Sequence, residues 1–196
     1  IKKLAIILET LQNQGFVNIG PIHRDGAIML DRIDTFDQMP TGIYETINQG
    51  SYQLEDKEDG SLFQYTIGPQ SFKNILHPPR RLLWSVEKNR NGFDQNPADS
   101  VPDKMAFWGI RSCDINAIDK LDAVFLKGEY PNHWYQQARK DLFIISSTCS
   151  NPSSNCFCTA LGNGPKPVSG SDLILTECMT PQHHFIIEAE SERGHE

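Results

Sequence analysis

The sequence predicts an α/β fold: a mixed sheet with at least one parallel strand–helix–strand crossover in the C-terminal half, beside a smaller α+β N-terminal part. Three observations carry this. Two continuous apolar runs, MAFWGI (Met105 to Ile110) and LFIISS (Leu142 to Ser147), suit strands buried on both faces. Between them, Ile115, Ile118, Leu121, Val124 and Phe125 recur at helical spacing. A strand, a helix and a strand in that order form, as a rule, a right-handed parallel crossover.

The remaining elements follow in chain order. Leu4, Ile7, Leu8 and Leu11 form a helical stripe over Ile1 to Gln14, stopped by Gly15. FVNIGPIHRDGAIMLDRI reads as two strands around the turn signal Asp25-Gly26. Asp34 to Gly50 reads as irregular, because Pro40 and Gly42 interrupt it. Ser51 to Leu54 and Leu62 to Ile67 are expected to pair as a hairpin across EDKEDG. A short helix in GPQSFKNILHPP ends at Pro78-Pro79. Glu87 to Asp103 is polar and turn-rich, and reads as a loop or linker. It divides the chain into an N-terminal α+β part, 1–86, and an α/β part, 104–196, that carries the cysteine-rich site. Asp114 is placed as the N-cap of the crossover helix. NHWYQQARKD extends or adds a helix, and DLILTEC and HFIIEA supply two last strands.

Composition bounds the function. At 196 residues, 38% hydrophobic and 22% charged, the chain is globular and needs no disulfide staple. A net charge of −7 argues against a general nucleic-acid binder, which presents a basic face. No apolar run approaches the ~20 residues of a membrane helix, and no signal-peptide pattern occurs, so direct membrane insertion is not expected. Five cysteines is an odd count, unlike the even frameworks of small secreted domains. A reducing, cytoplasmic compartment with metal-bound or reactive thiols fits it better. The chain opens at Ile1 and closes on ESERGHE, and it reads as a fragment.

Four of the five thiols are expected to converge. Cys113 follows the first parallel strand and Cys149 the second. The carboxyl ends of parallel strands share one edge of the sheet, where open α/β sheets bind ligands. Pro152 and the surrounding Ser and Asn residues let the next loop fold back and bring Cys156 and Cys158 to the same point. Four thiolates suit either zinc in a closed tetrahedral site or an iron–sulfur cluster. The Cys-x-Cys spacing matches neither the common zinc pattern nor the bacterial ferredoxin run. Arg111 and the N-terminal amides of the crossover helix favour an anionic centre there. Gly162 and Gly164 are expected to let backbone amides approach sulfur. Cys178 reads as a buried free thiol, and His183 and His184 as a solvated pair.

At these residues the chain resembles a known family. GIRSCDINAIDKLDAVF, CSNPSSNCFCTALGNGP and SDLILTE look like the N-terminal region of the iron–sulfur β subunits of cytoplasmic sulfhydrogenases, which are NiFe hydrogenases, and of the corresponding iron–sulfur subunits of anaerobic sulfite reductases. GPIHRDGAIML and YTIGPQSFKNILHPP extend the likeness over nearly the whole chain. The resemblance implies an electron-transfer subunit. It would work between a flavin- and NAD(P)-binding subunit, on one side, and a catalytic hydrogenase or sulfite reductase subunit on the other. It also implies that Cys113, Cys149, Cys156 and Cys158 ligate one [4Fe–4S] cluster, with Asp114 an alternative to one of the thiolates. Arg111 and loop amides would tune the cluster, and Trp108 and Phe157 would limit water. Two departures stand out. Ser112 occupies a position where many relatives carry proline, and the ferredoxin-like Cys-x2-Cys-x2-Cys-x3-Cys run is absent from the sequence. Two readings of other classes stay open: a zinc-stabilised docking module, and a thiol-redox enzyme using Cys156 and Cys158.

Overall fold

The structure, a computed structural model, describes residues 2–66, 70–90, 92–97 and 103–196. The N-terminal stripe forms helix α1 (Lys2–Asn13). Strands β1 (Val17–Arg24) and β2 (Ala27–Arg32) pair antiparallel. Asp25 and Gly26 both have positive φ, 53° and 72°, as a two-residue hairpin turn requires. The stretch read as irregular holds a 3-10 turn, Phe36–Gln38, and strand β3 (Ile43–Asn48), which pairs with β4 (Ser51–Asp56). The hairpin turn is therefore at Gln49-Gly50, not in EDKEDG.

Leu62 to Thr66, expected as the partner strand, is instead a buried irregular segment. Side chains replace a neighbouring strand as its hydrogen-bond partners. The amides of Leu62 and Phe63 donate to the Glu177 carboxylate at 2.8 and 3.2 Å, and the carbonyls of Phe63 and Tyr65 accept from Arg111. Ile67 lies outside the described residues.

Helix α2 (Lys73–Leu76) precedes Pro78-Pro79, as read. The expected loop over Glu87 to Asp103 largely forms a β-hairpin, β5 (Trp84–Asn89) with β6 (Gly92–Pro97). Residues 91 and 98–102 of that loop lie outside the described residues. Its polar residues mark exposed strands rather than irregular chain.

The C-terminal half is strand β7 (Met105–Ile110), helices α3 (Ser112–Phe125) and α4 (His133–Lys140), strand β8 (Phe143–Ser147), strand β9 (Leu173–Cys178), strand β10 (His184–Ala189) and a last turn, α5 (Glu192–His195). Among the described residues one sheet has the order β10-β9-β8-β7-β1-β2. Its four central strands are parallel, and an antiparallel strand closes each edge. The fold is therefore α/β with a mixed sheet, and the sheet draws strands from both sides of residues 87–103.

Both faces are covered, which explains the unbroken apolar runs. Leu4, Leu8 and Leu11 of α1 pack with Ala106, Trp108, Phe143 and Ile145 on one face. Ile115 and Ile118 of α3, with Tyr135 and Ala138 of α4, pack with Met105, Phe107 and Ile144 on the other. Leu121 and Phe125 join this face, whereas Val124 points to solvent, at the edge of the helical stripe. Trp108 is enclosed in the α1-side core, with its indole N–H on Asn18 Oδ1 at 2.8 Å. It does not line the cavity that the cysteines share. Among the described residues no helix is long and apolar enough to cross a membrane.

Candidate metal centre

The β7–α3 junction builds one wall of the site. At Gly109 the β7–β8 register slips and φ is +72°, a glycine bulge that turns Ile110 to the α3 face. A Cβ on Gly109 would lie 2.9 Å from Phe63 Cε1, so the bulge also lets the Leu62–Thr66 segment pack against the strand. Arg111 follows in extended conformation as the N-cap of α3. Asp114 is the third residue of the helix, not its cap. Its carboxylate accepts the Arg111 backbone amide at 3.0 Å. Burial raises the Asp114 carboxyl above its ordinary pKa, against the lowering effect of that amide.

Arg111 is 3% exposed. Its Nη2 donates to Phe63 O at 2.7 Å and to Tyr65 O, while its buried Nη1 has no hydrogen-bond partner among the described residues. Its side-chain partners are thus neutral carbonyls. A buried cation held only by carbonyls is costly unless an anion comes close.

The second crossover builds the opposite wall. Its helical content is one 3-10 turn, Cys158–Leu161. The loop is tied down at intervals: Cys149 N to Pro165 O at 3.1 Å, Asn151 Nδ2 to Gln64 O at 2.8 Å, Ser154 Oγ to Ile47 O at 3.0 Å, and Asn163 N to Cys158 O at 2.9 Å. Gly164, at φ +64°, passes so close that a Cβ would stand 3.2 Å from Cys158 Sγ. Gly162 works differently from the expectation. Its left-handed conformation closes the 3-10 turn, and its amide is spent on the carbonyls of that turn rather than on a sulfur.

Between the walls lies a cavity of about 630 Å³. Cys113, Cys149, Cys156 and Cys158 all line it, with Arg111, Lys120 and Phe157. Asp114 does not. All four thiols are free, as is Cys178, which is half-buried at the end of β9 rather than enclosed. His183 is not part of a solvated pair: it meets Glu177 Oε1 at 2.8 Å, while His184 is exposed.

Three features bear on what fits. Four sulfur donors suit soft metal centres. Cys113 is an exposed residue that opens onto the cavity, yet the protein crowded around its sulfur, then the Asp114 carboxyl, push its thiol up to about 11. Left alone, the Cys113 thiol stays protonated at neutral pH. A metal centre removes that proton outright. Third, no three Cys, His, Asp or Glu side chains among the described residues cluster tightly enough to hold one metal ion. The four sulfurs line one cavity. A negative group in that volume would add to the Asp114 carboxyl as a counter-charge for Arg111. The residues present therefore fit an iron–sulfur group.

Sequence reasoning missed the Leu62–Thr66 segment and Glu177 as supports of this site. Their signal is faint: a buried Glu in a strand, and an apolar stretch that also reads as a strand.

Comparison with known proteins adds kinship. Over 157 residues, 79% of this chain, it is 31% identical to sulfhydrogenase 2 subunit beta of Pyrococcus furiosus and covers 44% of that protein. The chain thus spans less than half the length of this relative. No family model matches the chain, and no solved structure matches it.

Proposed function

We propose that the chain, a relative of the sulfhydrogenase β subunits, is an electron-transfer subunit of a hydrogenase-type complex. Kinship and the four-thiol cavity support this reading. Cys113, Cys149, Cys156 and Cys158 would hold a [4Fe–4S] cluster. When bound, such a group supplies one-electron chemistry. The chain's own residues bind and tune it. Arg111 places positive charge in the cavity wall, favouring the reduced state. Phe157 and Leu161 put apolar surface at the cavity and limit water. Gly164 keeps Cys158 free of a side-chain clash. Electrons would pass between a flavin- and NAD(P)-binding subunit, on one side, and a hydrogenase or sulfite reductase catalytic subunit on the other, in the cytoplasm.

The observation that carries this reading is the placement of four thiols from two separate chain segments on one cavity that a buried arginine also lines. The test is a visible spectrum of protein purified without oxygen. A broad visible absorption, bleached by dithionite and lost in Cys156→Ser, is expected. A colourless protein with bound zinc would leave only a docking role.

A further inference from the structure

The Leu62–Thr66 segment lies between two buried charges. On one side Glu177, its side chain 2% exposed, takes four donors: the amides of Leu62 and Phe63, Gln64 Nε2 at 3.3 Å and His183 Nε2 at 2.8 Å. On the other side the carbonyls of Phe63 and Tyr65 hold Arg111. Amides facing the carboxylate and carbonyls facing the guanidinium align the segment's dipoles with both charges. Gln64 O also accepts from Asn151 of the cysteine loop. One carboxylate on β9 therefore anchors the segment that touches both walls of the cavity.

We propose that Glu177 is a positioning residue for the cysteine cavity: by clamping Leu62–Thr66 it fixes the Arg111 guanidinium in the cavity wall. The inference deepens the relay reading and rests on it for the purpose of that charge, but not for the placement.

Metal-free protein tests the placement. Each cavity cysteine is alkylated with iodoacetate, an anion, and with iodoacetamide, its neutral analogue, and the rates are compared by peptide mass spectrometry. The rate ratio reads the local potential. Arg111→Gln sets the value without the cation, expected to be about threefold lower, the factor for a unit charge at roughly 6 Å in a water-like dielectric. Glu177→Gln is expected to lower the ratio toward that value, because the segment loses its anchor. A purely through-space effect has the opposite sign, since removing a negative charge raises the ratio. An unchanged or raised ratio at Cys113 overturns the proposal. His183→Ala, at a partly exposed position, is expected to lower the ratio less. If Glu177→Gln does not fold, an unchanged ratio in His183→Ala overturns the proposal instead. A colourless wild-type protein would sink the relay reading alone, and the ratio would still decide the role of Glu177.

Discussion

The two walls of the cavity are built in different ways. The α3 wall is an outgrowth of the core: Arg111 and Ser112 are buried, and Ile115 and Ile118 lock the helix to the sheet. The loop wall has no buried residue in its 3-10 turn, and Cys156, Phe157 and Leu161 are exposed. A few loop hydrogen bonds hold it, rather than packing. Such segments sit at the low end of local stability. The difference teaches a division of labour. One wall is packed into the core, and the other would gain order if its thiols bind a metal centre.

Substitutions can break that comparison. The largest effect is expected at Gly109, on the fixed wall. Gly109→Ala meets both a left-handed backbone and a Phe63 ring atom 2.9 Å away. A loss of about 2–4 kcal/mol is expected from strain plus overpacking, read by denaturant unfolding of the metal-free protein. Next comes Arg111→Met, which strands the buried Phe63 and Tyr65 carbonyls. About 1–3 kcal/mol should be lost, again without metal. On the loop wall the pattern should invert. Gly164→Ala, at φ +64°, costs about 1–2 kcal/mol of local strain. Its larger effect is on iron retained after anaerobic purification, because the new methyl crowds Cys158 Sγ. If Gly164→Ala lowered stability as much as Gly109→Ala, the two walls would not differ as described.

The smallest effect is a pH dependence at Asp59, just ahead of the Leu62–Thr66 segment. The Asp59 carboxylate accepts from Ser61, through N and Oγ, and from Tyr44 Oη. These bonds, Ser61 first, hold its pKa down to about 2. A depressed carboxylate contributes stability above its unfolded pKa, and that contribution is lost as pH falls from about 4 through about 2. Asp59→Asn should therefore lower stability slightly at neutral pH, flatten the acid limb of a stability-against-pH curve, and match the wild type below about pH 2. Asp59 is exposed, so the increment is small.

The same contrast explains what the sequence could convey. The crossover was legible because MAFWGI, the α3 stripe and LFIISS each carry their own period, and parallel topology then forces Cys113 and Cys149 to one edge. The convergence of Cys156 and Cys158 was legible from turn residues alone. The Leu62–Thr66 segment was not, because its apolar, β-prone residues fit a strand equally well. Side chains far away in sequence divert its hydrogen bonds: Glu177, 115 residues from Leu62, Arg111, 48 from Phe63, and Asn151, 87 from Gln64. Asp114 was misplaced because Asp favours both the cap and the first turn, and nothing local separates the two. The hairpin at β5–β6 was hidden because exposed strands lose the apolar alternation that marks half-buried ones.

The most direct test of the central claim is iron and acid-labile sulfide per chain, in protein purified and kept without oxygen. About four of each, falling together in Cys156→Ser while the fold persists, is the result the cavity predicts for a cysteine-bound [4Fe–4S] group. One zinc per chain, or neither metal nor sulfide, would contradict it.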